Sequence, residues 1–382
     1  MTLLNNSIHS IRPEIHLILC CARLHIEPEA KRKIKSLLQT DLDWTYLIKT
    51  ANEHRVLPLI YKNLADNFNE FVPPPTLDHL RNWFHINTIH NKLLTRALLD
   101  LLESFKKLKI PCIVFKGPMS AARIYNDITL RQFNDLDVIV DEKDYDRSQE
   151  NLARIGYKKT SDFGFESGFQ HESSRINIDI HRKFDDHGLF SQFNFIQLLN
   201  RLEPIDIQNH KLSTLSAQDT LLNLCINFAK DLFINKTKLA QICDIANLID
   251  LHPNWDWAAV IKRAGSCGTE RIFFLCLSLS NQLLGTKLPM EVMQKIDTHT
   301  KLKSLVPEVY DRLMNLLCGR CQFLERRRGY LADRLLFLKL KERWRDRLPI
   351  YYHIPKYCIR YYFKKILIEF RKIITPVIFR KV

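Results

Sequence analysis

Glycine is scarce in this chain, with 10 in 382 residues, and the sequence holds no low-complexity stretch and no internal repeat. With 22 Phe present, that scarcity argues against disorder over most of the length and against a fibrous or linker-like protein. Long apolar runs are also missing. The longest nearly apolar segment, Ile272–Leu284, falls short of the ~20 residues needed to cross a bilayer. The first residues lack a basic stretch followed by an apolar core, so no secretory signal is expected. The ten cysteines show no disulfide framework, and most lie in apolar runs where free Cys behaves as a small hydrophobe. A reducing, cytoplasmic setting follows from these readings. Cys318 and Cys321 have C-x-x-C spacing but lack a second pair to complete a zinc site, so two free thiols are expected.

What is there is core-forming material with an uneven charge. Hydrophobic residues make up 46% and charged residues 26%. At roughly 150 residues per domain, the length predicts two or three domains. The net charge is +15, and residues 320–382, with 18 Lys/Arg against 5 Asp/Glu, carry +13 of it. In that tail cations alternate with aromatics, as in Tyr361-Tyr-Phe-Lys-Lys365, and Ile366, Leu367, Ile368 and Phe370 add an apolar side. The tail therefore suits a nucleic-acid backbone, an anionic membrane surface or a solvated helix packed on the body equally well.

Four regions are expected: helices over 1–108, an α/β core over 109–210, helices again over 211–319, and the basic tail over 320–382. Leu93, Leu94, Ala97, Leu98, Leu101, Leu102 and Phe105 recur at helical spacing. The prolines of Phe71-Val-Pro-Pro-Pro-Thr76 interrupt that region. The pattern changes at Ile110. Ile110–Phe115 reads as a buried strand ended by Lys116-Gly117-Pro118, and Met119–Tyr125 as a short helix. Asn134–Asp141 reads as a second strand and Lys143–Ile155 as a helix. Strand-like runs follow over Lys158–Phe165 and Gly168–Phe184. Ser216-Ala-Gln-Asp219 has the form of a capping box that opens the second helical region. Trp255 and Trp257 are expected to pack helices.

The chemistry concentrates in Arg131-Gln-Phe-Asn-Asp135-Leu-Asp137-Val-Ile-Val140. Alternate residues of a strand point the same way, so Asp135 and Asp137 share a face. Two carboxylates that close are costly unless a cation neutralises them, and oxygen ligands favour Mg²⁺ or Mn²⁺. The strict alternation Ile176-Asn-Ile-Asp-Ile-His181 puts Asn177, Asp179 and His181 on one face. If this strand lies beside the first, Asp179 becomes a third carboxylate, a set that suits two-metal phosphoryl chemistry. Gly117 lets backbone approach a phosphate, and Lys116 can pair with it. Arg131 either clamps the same phosphates or pairs with an acid such as Asp127. His181 is expected to be an ordinary hydrogen-bonded residue of a half-buried strand.

Phe115-Lys116-Gly117, Tyr125-Asn-Asp-Ile-Thr-Leu-Arg131, Asn134-Asp135-Leu-Asp137 and Ile178-Asp179-Ile-His181 resemble the uncharacterised bacterial nucleotidyltransferase-like family of the polymerase-β superfold. His54-Arg-Val-Leu-Pro-Leu59, Asp244-Ile-Ala-Asn-Leu-Ile249 and Asn254-Trp-Asp-Trp257 extend the resemblance over roughly 40–285. The resemblance implies an α+β fold, a small mixed-sheet polymerase-β-like core between helical regions. It also implies Asp135, Asp137 and Asp179 as metal ligands, and Lys116 and Gly117 in the loop that holds the nucleotide. The chain departs from the superfamily in carrying one Gly followed by Pro118, and in an Asp where the subfamily often has Glu as third acid. The expected activity is transfer of a nucleoside monophosphate from NTP to an acceptor hydroxyl on RNA, protein or a small molecule. The competing expectation is a non-catalytic binding module whose tail docks on membrane or nucleic acid.

Overall fold

A computed structural model describes residues 11–183, 194–233, 236–319, 336 and 338–342. Cys321 and nearly all of the basic tail lie outside the described residues, and so do the expectations for them. The chain opens with α1 (Pro13–Cys21), α2 (Pro28–Leu38), α3 (Trp44–Glu53), α4 (Leu57–Asn67) and the 34-residue α5 (Pro74–Lys107). The proline cluster does interrupt the helices. Pro73 caps α5 and Pro74 starts it, where a missing N–H costs nothing. On α5, Leu94, Leu98, Leu101 and Phe105 are buried, but Leu93, expected on the same stripe, is 57% exposed. A 3.6-residue period cannot place both Leu93 and Leu94 toward a core that covers only one side.

The middle region alternates β1 (Cys112–Val114), α6 (Pro118–Tyr125), β2 (Asp135–Val140), α7 (Tyr145–Arg154), β3 (Tyr157–Asp162), β4 (Glu166–His171) and β5 (Asn177–His181). The sheet order is β1-β2-β5-β4-β3. All neighbours are antiparallel except β2 and β5, which run parallel. The run expected over Gly168–Phe184 is two strands, because Glu172-Ser-Ser-Arg175 turns the chain and Arg175 takes a left-handed φ of 60°. The polar Glu-Ser-Ser stretch offers nothing to bury, so the turn sits at the surface. A helix α8 (Phe195–Leu199) and a separate hairpin, β6 (Glu203–Ile207) with β7 (His210–Thr214), complete this region.

The second helical region is α9 (Ala217–Phe233), α10 (Leu239–Leu251), α11 (Trp257–Cys267), α12 (Glu270–Leu284), α13 (Met290–Thr298) and α14 (Leu302–Leu317). Ser216 Oγ accepts the Asp219 N–H at 3.1 Å, the forward half of the expected box. Gly285 ends α12 in the left-handed conformation. The apolar run Ile272–Leu284 makes α12 a helix buried on almost every side, at the centre of the helical core. Two cores result. One joins α1, α3, α4, α9, α10, α12 and α14, and the other lies between the sheet and α5. Helix α6 belongs to both: Met119 and Ala121 face the sheet, and Ile124 and Tyr125 face the helices. The result is an α+β protein with a small mixed sheet between two helical regions. Among the described residues, no helix is long and apolar enough to cross a membrane.

Candidate active site

Strand β2 is buried by its apolar residues: Leu136, Val138 and Val140 are fully enclosed. That burial fixes the register and leaves Asp135 and Asp137 on the opposite face from Leu136 and Val138. In the parallel pairing with β5, Asp137 lies opposite Asp179, and Asp135 opposite Asn177. The structure therefore sets Asp135, Asp137 and Asp179 on adjacent strands at one end of the sheet. Gly168 of β4 pairs with Asp179, and a Cβ there would come within 3.0 Å of Asp179 Oδ1 and 2.5 Å of Ser161 Oγ. Only glycine leaves that carboxylate its space. The sequence offered no sign of this, since the glycine matters through its neighbour on another strand.

Lys116 leaves β1 and turns back over the carboxylates. Its Nζ lies 2.8 Å from Asp137 Oδ1, and His181 Nε2 lies 3.1 Å from the same oxygen. Gly117 caps α6 with φ 61°, and a Cβ there would sit 3.3 Å from the Asp135 carbonyl oxygen. The loop thus passes close over β2, as a chain free of side-chain bulk allows. His181 is buried, and its Nδ1 is 3.2 Å from Glu166 Oε2 without the alignment of a hydrogen bond.

These contacts split the titration of the three acids. Burial alone would raise Asp137, but the Lys116 ammonium and the His181 hydrogen bond outweigh it and hold the carboxyl well below the usual range. Asp179 makes no ion pair among the described residues, and only His181 acts to lower it. Burial, then the Asp137 charge, push it up to about 6. Burial followed by Asp137 also raises Asp135. Burial is the larger cause for both raised acids and the Asp137 charge the second. All three groups are carboxylates, the kind of donor a hard divalent cation takes. Among the described residues, no group of three or more His, Cys, Asp or Glu is placed so that it could hold a metal ion as it stands, and Lys116 holds one Asp137 oxygen.

Arg131 acts on the Asp135 charge but makes its ion pair elsewhere. Its Nε donates to Asp244 Oδ2 at 2.9 Å, and the Tyr125 hydroxyl donates to Asp244 Oδ1 at 2.7 Å. Asp127, the acid suggested by proximity in sequence, instead accepts the N–H and hydroxyl of Thr129. Asn91 of α5 holds the backbone of this segment by donating to the carbonyls of Ile128 and Arg131. Three further groups join the site without having been read from the sequence. Arg55, exposed and with a left-handed φ of 59°, acts on the Asp135 charge, and its guanidinium has no carboxylate partner among the described residues. Lys230 and Asp231 of α9 stand within electrostatic reach of Lys116; burial, then Lys116, lower the Lys230 ammonium. Their positions depend on how α9 folds back over the sheet, which no local pattern encodes.

With this geometry in view, the chain was compared with known proteins. The profile of a family described as uncharacterised nucleotidyltransferase matches residues 40–285. No curated protein matches the chain. Among solved structures, the lincosamide antibiotic adenylyltransferase LnuA, bound to lincomycin, is similar over 40% of this chain and 94% of its own, at 20% identity and a TM-score of 0.30. An antigenic nucleotidyltransferase-like protein from Paracoccidioides brasiliensis is similar over 53% of this chain and 93% of its own, at 15% identity and a TM-score of 0.32.

Proposed function

We propose that this chain, which belongs to the uncharacterised nucleotidyltransferase family, is an enzyme that moves a nucleoside monophosphate from NTP to an acceptor hydroxyl. The observation that carries the reading is the parallel register that puts Asp179 opposite Asp137, two residues from Asp135, with the Lys116 ammonium against the cluster. Asp135, Asp137 and Asp179 are the residues that would hold Mg²⁺ or Mn²⁺. Bound there, such an ion would offset charge on the attacking and leaving oxygens.

The chain's own residues supply the rest. Lys116 pairs with a phosphate of the incoming triphosphate, and the backbone at Gly117 approaches it closely. Lys230 adds a second ammonium beside Lys116, and Arg55 a guanidinium at the Asp135 side. Arg131, anchored by Asp244, braces the segment leading into β2 and adds positive charge there. Asp179, which burial and then the Asp137 charge make more basic than an ordinary carboxylate, would take the acceptor proton. The acceptor oxygen bonds to the α-phosphorus, the bond from that phosphorus to the β-bridging oxygen breaks, and pyrophosphate leaves. The helical regions on either side of the sheet shape the acceptor pocket.

Incubation with α-phosphate-labelled NTP, Mg²⁺ and candidate acceptors tests this. Transfer of label to an acceptor or to the chain itself is expected, and its loss in the Asp135→Ala, Asp137→Ala double variant. Labelling that survives in the double variant sinks the assignment.

A further inference from the structure

A second polar cavity lies away from the carboxylates. It encloses about 390 Å³, and Arg201, Glu203, His252, Trp255 and Arg263 line it together with the first turn of α9. It is reached along α6. That helix begins at the Gly117 loop, and Arg123 near its other end pairs with Glu203 at 3.2 Å. Eight residues at ~1.5 Å each set the two ends roughly 12 Å apart.

Two arginines and a histidine line this cavity beside the acids Glu203 and Asp256. Arg201 Nε at 3.3 Å and Arg263 Nη2 at 2.7 Å reach the same buried carboxylate, Asp219. Glu203 is engaged by Arg123, and the Asp256 carboxylate caps α11 by accepting the Ala259 N–H at 2.9 Å. Glu203 and Asp256 are thus engaged, whereas Asp219 Oδ1, for all its closeness to Arg263 Nη2, makes no aligned hydrogen bond. On the donor side, Arg123 Nε and Nη2, Arg263 Nε and His252 Nε2 are buried and meet no acceptor among the described residues. Buried polar atoms of this kind call for a partner, and two of them, Arg263 Nε and His252 Nε2, belong to side chains that line the cavity. Ala217 and Gln218 add the first turn of a 17-residue helix, whose leading N–H groups lack partners within the helix. Beside the donors stands Trp255, half-buried, its indole N–H donating to the Ile249 carbonyl at 3.2 Å. His252 and Trp257 hold its ring from two sides, with centroids at 5.8 and 5.6 Å. Guanidinium groups, a helix start and an imidazole suit an oxyanion, and a fixed indole suits a flat ring.

We propose that this cavity binds a phosphomonoester carried on a planar ring, with the phosphate on Arg201, Arg263 and His252 and the ring against Trp255. The site is separate from the three aspartates and stands whether or not they transfer nucleotides. A small phosphorylated ligand seated there bears on α9 and, through Glu203 and Arg123, on α6, both of which also reach Lys116.

Calorimetric titration of the full chain with phenyl phosphate and with inorganic phosphate tests the assignment. Both should bind at one site, phenyl phosphate tighter by about three- to tenfold from ring contact. Arg201→Gln should weaken both by about tenfold or more. His252→Ala, which strips no buried acid of its partner, gives the same reading if Arg201→Gln does not fold, as judged by its circular dichroism. Binding lost in Lys116→Ala but kept in the cavity variants assigns the anion to the aspartate site and overturns the proposal. So does the lack of any heat with phenyl phosphate.

Discussion

Replacing Lys116 by Met probes the site's electrostatics without reference to catalysis. The ammonium lies 2.8 Å from Asp137 Oδ1, and the two side chains are 27% and 6% exposed. At an effective dielectric of about 20, unit charges at that distance attract by roughly 6 kcal/mol. Desolvation of both groups takes back much of this, and breaking a buried pair from one side costs about 3–5 kcal/mol. His181 still donates to the same oxygen, so the lower end applies, about 3 kcal/mol at pH 7. The pH dependence gives the sharper signature. In the native protein the Asp137 carboxyl is depressed, so its contribution is present above the unfolded value of about 3.9 and lost only as pH falls through the still lower folded value. Between pH 7 and 5 that contribution is flat. Without Lys116, burial dominates and the carboxyl rises above its unfolded value. The variant then gains stability as pH falls through the raised value, and its deficit shrinks by about 1 kcal/mol by pH 5. Urea unfolding of both proteins at the two pH values measures the difference directly. A deficit under about 1 kcal/mol at pH 7, or one that grows toward pH 5, refutes the ion pair as the cause of the low Asp137 carboxyl.

Asp179→Asn should raise stability at pH 7 by about 1–2 kcal/mol, after discounting for partial exposure, because a carboxyl held at about 6 is strained when ionised. The same variant should lose transfer activity by about a hundredfold or more, and native activity should fall as pH drops below about 6; a destabilised yet active variant contradicts both statements. Gly168→Ala should cost about 1–3 kcal/mol and depress activity, since the new methyl meets Ser161 Oγ and Asp179 Oδ1; thermal melting and label transfer read the two effects. Asp244→Ala should cost about 3–5 kcal/mol in chemical denaturation by stranding buried Arg131 and Tyr125, with Asp244→Asn milder because it still accepts from the tyrosine.

Much of the site was legible because it rests on short-range periodicity. Ile176, Ile178 and Ile180 alternate with Asn177, Asp179 and His181, and a strand with one buried face must present the polar set on the other. The same alternation placed Asp135 with Asp137. The pairing of the two strands was a condition the sequence could state but not settle, since β2 and β5 are parallel neighbours separated by α7, β3 and β4. Arg131 shows where local reading ends. Asp127, an acid four residues before it, caps a turn, and the partner of Arg131 is Asp244, 113 residues away on α10. Leu93 shows a second limit, for helical spacing marks a stripe without fixing its width. Gly168, Lys230 and Arg55 matter through tertiary neighbours only, so composition and spacing left them silent.

Helix α6 explains why the two cores need each other. Gly117 starts it beside Asp135, and Tyr125 ends it on Asp244, inside the helical core. Two hydrogen bonds to one buried carboxylate, from Tyr125 and Arg131, fasten both ends of the segment between α6 and β2 to α10. The loop bearing Lys116 and the strand bearing Asp135 therefore inherit their relative position from a helix outside the sheet. A strand pair alone could bring Asp137 opposite Asp179, but it has no means to hold the Lys116 ammonium over them. In this fold the helical regions do more than flank the sheet: they fix the spacing between the loop bearing Lys116 and the carboxylates beneath it.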